Sequence, residues 1–445
     1  MLTENELKRI TDSALAYSKA DQTEVVITEN DSALTRFANN EIHQNVAERD
    51  TTVLIRVVFG KKIGVATLNR ADEAGVRMAV ERANDLAQFQ VENPDFKSLP
   101  SYSPAPAVNG FHEGTAGFSP EDRAWAAGIV LRKALDNGLV AAGHVSTDIS
   151  QIAVANSLGV FQHHAYTESQ LNVVMMSDSS SGYASRLDGN AARIDPESAA
   201  EEAVAKARSG RSPRPLDPGR YEVVLESYAV CDMLDFLAYL GFGAQAVQEG
   251  RSFMAGHFGQ KVLGGNISIW DDGTDPNGIP MPFDYEGVPR QRVDLIDQGV
   301  ASGVVYDSFC AGKEGKASTG HALPAGQTFG PVPLHLHLAP GEASREELIR
   351  SVRRGVLVTR FWYTRPVHPL SVTVTGMTRD GTFLIENGEI VGPVHNLRFT
   401  QSYLEALRAV DLIGQETSLQ KEFFAYDLAP AVKIGAWEFT GSTEY

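Results

Sequence analysis

Residues 270–322, WDDGTDPNGIPMPFDYEGVPRQRVDLIDQGVASGVVYDSFCAGKEGKASTGHA, constrain the chain most. They are too rich in Gly and Pro to be helix and too patterned to be disordered. In the first part Asp271, Asp272, Asp275, Asn277, Asp284 and Glu286 are set between turn-making Gly273, Pro276, Gly278, Pro280, Pro282, Gly287 and Pro289, the pattern of a long structured loop. An acidic loop raises the question of calcium. With Gly278 as the sharp-turn glycine of an EF-hand, position one falls on Gly273 and position twelve on Asp284, so the first ligand and the bidentate Glu are both missing. Carboxylates that cap turns and solvate a surface loop are the better reading. Beyond that loop, residues 292–296 and 303–306 are expected as strands around Gly299, and residues 315–320 as a second glycine-framed loop.

A chain of 445 residues, 43% hydrophobic and 21% charged, can build two or three domains with real cores. The net charge of -17 argues against nucleic acid or an anionic membrane as partner, because both need clustered Lys and Arg to displace counterions. The densest basic stretch, residues 208–215, is broken by Pro and Gly and reads as a linker. Two cysteines, Cys231 and Cys310, are too few for a disulfide framework and are expected as buried thiols in a reducing compartment. MLTENELKRI lacks the basic and apolar regions of a signal peptide, and no run of about 18 apolar residues occurs. A cytoplasmic protein is expected.

Apolar spacing predicts a helix over 4–19, strands over 24–28, 33–37, 51–59 and 62–67, and a helix over 71–89. After a Pro- and Ser-rich connector at 94–106, the same order recurs: a helix opened by Ser119 and Pro120, strands over 144–150, 152–156 and 160–175, and a helix from Pro196 to about residue 207. Helix, meander, helix twice hints at a duplicated unit. The expected division is an N-terminal α+β domain over 1–214, with antiparallel strands and helices, and a C-terminal β-rich domain over 215–445 with long loops. In the latter we expect a strand over 221–225, a helix over 228–240, a strand over 333–338 and a helix to residue 354 opened by the capping box at Ser344. A type I′ hairpin at Asn387-Gly388, a helix over 400–410 and a strand over 431–439 complete it.

Few side chains suggest chemistry. His163 and His164 are adjacent on a strand and point to opposite faces. His335 and His337, two apart, share a face and are the sequence-local candidates for a metal, with an acid from the 271–284 loop. Ser318 and His321 in STGHA suggest a nucleophile and its base, but adjacent loop residues lack a strand-turn-helix elbow and an orienting acid.

TRFANNEIHQ at 35–44, DDGTDPNGIP followed by PFDYEGVPR, the STGHA loop and GMTRDGTFLIENGEIVGPV at 376–394 together resemble the TldD/PmbA family, also called modulators of DNA gyrase. The resemblance covers essentially the whole chain. It implies a two-domain protein acting as a dimer. TldD-type members are zinc metallopeptidases with an HExxxH motif and a late Cys ligand. TldE (PmbA)-type members lack these ligands and pair with TldD to cleave unfolded or extended peptides. Counted from the strand at 223–225, the motif should fall on residues 235–240. There Asp235 stands for the first ligand, Phe236 for the general base and Leu240 for the second ligand, and no cysteine follows Cys310. A phenylalanine cannot take a proton from zinc-bound water and a leucine cannot bind zinc.

The expected function is therefore a zinc-less TldE-type subunit. It would have no cofactor of its own and no activity alone, with zinc only in a TldD-type partner. Arg360, Arg365, Ser318 and His321 are candidate contacts to an extended peptide held by backbone hydrogen bonds. The alternatives are a stand-alone metal-dependent hydrolase using His335 and His337, and a homodimeric peptide-binding protein.

Overall fold

The computed structural model describes residues 1–443. Its first half is α1 (Glu4–Tyr17), β1 (Gln22–Ala38), β2 (Glu41–Phe59), β3 (Lys62–Leu68) and α2 (Glu73–Phe89), then the single turn α3 (Glu113–Ala116). The second set is α4 (Pro120–Asp136), β4 (Val140–Asn156), β5 (Phe161–Met176), β6 (Ser181–Asp188) and α5 (Pro196–Ser209). The six strands form one antiparallel sheet in the order β3-β2-β1-β4-β5-β6. Two outward-growing meanders thus meet at the β1–β4 ladder.

Helices cover only one face of this sheet. Val25, Ile27, Val53, Ile55 and Ala153 face α1 and α2, while Val145, Leu171, Val173 and Ala184 face α4 and α5. Residues of opposite parity, Val26, Leu54, Ile152 and Val154, form a second apolar surface on the other face. The two meanders use the same device to seat their closing helices. A Cβ on Gly64 would lie 2.1 Å from the Ala83 carbonyl oxygen, and one on Gly182 2.1 Å from that of Ala203, so each helix lies on bare strand backbone.

The second half is β7 (Gly219–Leu225), α6 (Ser227–Leu240), α7 (Ala244–Gln248), β8 (Ile269–Asp271), β9 (Val293–Asp297), β10 (Val300–Ala301), α8 (Ser308–Glu314), β11 (Leu336–Leu338) and α9 (Arg345–Arg350). It continues with β12 (Arg354–His368), β13 (Thr373–Glu386), β14 (Glu389–Pro393), β15 (Leu397–Ser402), α10 (Tyr403–Arg408), β16 (Val410–Gln420) and β17 (Asp427–Ser442). These strands make one eleven-stranded sheet. β7 pairs with both β12 and β17, so β7, β12, β13, β15 and β17 close into a ring. Phe361, Phe399, Tyr403 and Trp437 stack within its core, with Phe361 and Phe399 centroids 4.6 Å apart.

The fold is α+β with two domains, as the patterning predicts, and several elements correct the finer reading. The segments 24–28 and 33–37 are one strand, β1, and 144–150 and 152–156 are one strand, β4. Residues 303–306 make an isolated bridge through Val305 rather than a strand, and an unforeseen helix, α8, follows. The strand at 333–338 holds only from Leu336 to Leu338, and the helix after Ser344 stops at Arg350. The expected helix over 400–410 begins only at Tyr403, because residues 397–402 pair with β13 and β17. Asn387 and Gly388 carry φ of 51° and 80°, as a type I′ turn requires.

Candidate functional site

Helix α6 carries the positions that the family resemblance singles out, Asp235, Phe236 and Leu240. It is apolar nearly all round, so packing rather than amphipathicity fixes it: Tyr228 to Leu234 and Asp235 to Ala238 are almost all buried. Asp235 is 3% exposed and turns its carboxylate on the connection between β16 and β17, accepting the backbone N–H of Phe423 at 3.0 Å and of Ala425 at 3.3 Å. Phe236 lies in an aromatic group with Tyr403 and Phe423, at 5.9 and 6.3 Å. Leu240 is buried in the main core. One carboxylate is used as a backbone anchor, and two side chains are hydrocarbon packing.

Around Asp235 the interior is unusually acidic. Asp232 accepts hydrogen bonds from Thr364 Oγ1 and Tyr403 Oη, both at 2.7 Å, and burial pushes its carboxyl up to about 6. Burial, with repulsion from Asp232, pushes Asp235 up to about 8, and burial pushes Glu422 up to about 7. Asp427 is fully buried, neither of its oxygens has a hydrogen-bond partner, and burial together with Asp235 drives its carboxyl well above the usual range. Each is shifted toward its protonated form, and Asp235 is mostly protonated at neutral pH, which limits the repulsion among carboxyls that share a buried space. Among the described residues no three His, Cys, Asp or Glu side chains gather in an arrangement that would hold a metal ion.

The acidic 271–291 loop is not a surface loop, which corrects the sequence reading. Met281 and Phe283 pack on Val26, Leu54, Ile152 and Val154 and cover the helix-free face of the first sheet. Asp284 is wholly buried and accepts three backbone N–H groups, from Glu286, Val288 and Ala322, at 2.8–2.9 Å. Glu286 reaches across to Arg56 of β2 at 3.0 Å, and Arg56 also pairs with Glu24, so the loop is bolted to the first domain. His164 Nε2 donates to the Pro280 carbonyl at 2.8 Å, a second such bolt.

Under this loop lies a dry polar group that sequence reasoning found only in pieces. His321 Nε2 donates to Asp271 Oδ1 at 2.7 Å, and Asp271 Oδ2 accepts the His335 backbone N–H at 2.7 Å. Burial alone would raise the Asp271 carboxyl; His321 and then Arg290 outweigh it and hold it well below the usual range. Burial lowers His321, and burial with Arg290 takes His335 down to about 3, so the His335 imidazole is neutral at pH 7. Arg290 is enclosed too, 3.8 Å from Asp271, and its guanidinium nitrogens make no hydrogen bond to protein.

The candidate residues fall as follows. Ser318 does not meet His321: its hydroxyl donates to the Tyr306 carbonyl at 3.0 Å, and Thr319 Oγ1 takes the place beside His321 Nδ1 at 2.9 Å. His321 is fully buried and out of reach of a peptide. His335, just before β11, and His337 within it both turn to the acidic loop. His335 Nε2 donates to the Ile279 carbonyl at 3.0 Å, while the His337 ring stacks on Trp270 at 5.2 Å with Asp275 3.7 Å away. Arg360 is 9% exposed, bonded to Asp380 and stacked 4.1 Å over Tyr183; Arg365 donates to the Thr364 carbonyl and lies over Tyr363. Cys231 and Cys310 are buried free thiols. Asp232 and Asp427 could not be singled out from sequence because their neighbours come from distant segments, whereas Thr319 and Arg290 lie within the 270–322 stretch and are placed by how that loop folds back on itself.

Comparison with known proteins agrees with this construction. Residues 218–441 match the PmbA/TldA metallopeptidase C-terminal domain, 23–87 its domain 1 and 120–211 its central domain. The chain is 28% identical to an uncharacterized protein of Methanocaldococcus jannaschii over 60% of this chain and 62% of that protein. It is 22% identical to the metalloprotease PmbA of Escherichia coli O157:H7 over 94% and 93% of the two chains. The fold of TldE from Thermococcus kodakarensis superposes with a TM-score of 0.88 at 20% identity, covering 98% of this chain and 100% of that one. A three-part match across the chain, on top of the arrangement of α6 and its acidic loop, makes this protein a member of the PmbA/TldD family.

Proposed function

We propose that the chain is a TldE-type subunit without zinc of its own, which shapes part of a peptide-binding chamber in a complex with a TldD-type metallopeptidase. The observation that carries this reading is α6. At the positions where the family resemblance expects two ligands and a base, Asp235 is committed to the backbone N–H groups of Phe423 and Ala425, Phe236 to aromatic packing and Leu240 to the core. Hydrolysis through a metal-bound water needs at least an open coordination position and a group to take its proton, and hydrocarbon side chains supply neither. Strand edges and loops remain, and these can hold an extended peptide through main-chain hydrogen bonds with little side-chain selectivity.

Among the described residues no helix is long and apolar enough to cross a membrane. The acidic charge suits a protein free of nucleic acid, and we place it in the cytoplasm. We also propose that the domains divide at residues 214/215, and that the N-terminal one arose by duplication of the helix-meander-helix unit.

Co-expression with a TldD-type protein from the same organism, followed by size exclusion and peptide digestion, tests the assignment. A stable mixed complex with chelator-sensitive peptidase activity is expected, with the isolated chain inactive even in added zinc. Chelator-sensitive digestion by the isolated chain would overturn it.

A further inference from the structure

The 280–290 loop does not cover all of the helix-free face of the first sheet. Beside it a cleft of about 310 Å³ remains, floored by β1, β4 and β5 and closed by Tyr285 and the connection between β16 and β17. That volume is at the lower end for a small-ligand site.

The floor holds an electrostatic anomaly. Asp148 of β4 stands directly opposite Glu168 of β5, and like charges facing each other across a ladder destabilise it unless a cation joins them. Glu168 is 7% exposed, so solvent screens the pair poorly. Asp148 accepts the Ser32 hydroxyl, and Glu168 receives a cation from the other domain. Lys421 Nζ lies 3.1 and 3.3 Å from the two Glu168 oxygens, 3.0 Å from the Tyr426 hydroxyl and 4.6 Å from the centre of the Tyr426 ring. Tyr426 donates its own hydroxyl to Glu168, and Tyr166 and Tyr285 form further aromatic wall. Facing carboxylates beneath tyrosine rings are the chemistry that selects a primary ammonium.

Lys421 is a replaceable occupant. Its side chain is 37% exposed and sits on a connection that belongs to no helix or strand, so its ammonium can turn out to water when another ammonium takes its place on Glu168. The same connection is tied to α6 through Asp235, which holds the backbone of Phe423 and Ala425 between Lys421 and Tyr426.

We propose that this cleft is a subsite for a primary ammonium group carried on an extended peptide, and that Lys421 holds the place of that ammonium until a peptide displaces it. Only the identification of the carrier as a peptide rests on the function proposed above.

Titration calorimetry on the isolated chain tests it, using N-acetyl-Ala-Lys-Ala-amide, its norleucine counterpart, and Ala-Ala-Ala-amide with a free amino terminus. The lysine peptide or the free-amine peptide is expected to bind about tenfold more tightly than the norleucine peptide, and whichever does so identifies the source of the ammonium. Lys421→Gln is expected to tighten that binding about three- to fivefold, the modest gain from removing a half-exposed competitor. Glu168→Gln should abolish the preference, and Asp148→Asn, milder for folding, should weaken it in the same direction. Equal binding of all three peptides by both the wild type and Lys421→Gln, or weaker binding by Lys421→Gln, would overturn the proposal. Because no partner subunit is used, failure to form a mixed complex leaves this outcome unaffected.

Discussion

At the scale of single residues, the molecule places charge where water cannot reach it and compensates each group differently. Asp271 is held by His321 and a backbone N–H, so His321→Ala would leave a buried carboxylate short of its main partner. We expect a loss of about 3 kcal/mol, read from urea unfolding. Asp235 serves as an acceptor for two backbone groups. Asp235→Leu should cost about 2 kcal/mol by orphaning them, whereas Asp235→Asn keeps an acceptor and should cost less, a difference visible in the midpoint of denaturation.

The carboxyls around Asp235 also set a pH dependence. Their folded values, about 6 for Asp232, about 7 for Glu422 and about 8 for Asp235, lie above the ordinary unfolded range. The native state therefore binds more protons than the unfolded chain between those limits. This contribution to stability is complete below the unfolded values and is lost as pH rises through the folded ones. Unfolding free energies measured at pH 5, 7 and 9 should fall in that order, and Asp427→Asn should flatten the trend.

At the scale of elements, glycine decides how closely a helix can approach a strand. Gly64→Ala and Gly182→Ala each push a methyl group into a helix carbonyl, and each should destabilise by about 1 to 3 kcal/mol. Similar losses at both sites, measured by thermal unfolding, would support the common origin of the two meanders. Most elements of the first half could be read from apolar spacing, because each strand has one face under a helix. What could not be read was continuity. Ser32 and Gln151 break the apolar pattern, yet their strands run on, since Ser32 bonds across to Asp148 and Gln151 bonds the Leu2 carbonyl at the helix side. In the second half, the expected helix over 400–410 includes the last three residues of β15, Thr400, Gln401 and Ser402, whose strand state follows from pairing with β13 rather than from local pattern.

At the scale of the whole molecule, the acidic loop joins two domains. Its Asp, Glu and Pro content reads as surface because sequence reports polarity, while the partners that hold it in place, Arg56 on Glu286 and His164 on the Pro280 carbonyl, lie more than a hundred residues upstream. Asp235, Phe236 and Leu240 could be named from the family resemblance; the neighbours of Asp235 could not, since Phe423, Ala425 and Asp427 lie about 190 residues further along the chain. A fragment ending at residue 214 would bare Val26, Leu54, Ile152 and Val154 to water. Such a fragment should bind a hydrophobic dye and self-associate on size exclusion, whereas the full chain should do neither.

The closed ring of the second domain bears on how the protein is made. β7 is translated well before β17, yet each is a neighbour the other needs. Until synthesis reaches the later strand, the earlier one waits with open backbone groups, inviting contact with whatever polypeptide is nearby. A growing chain of this design calls for shelter during translation, and refolding of the intact chain should be slow for its size, because the closing step joins segments so far apart along it.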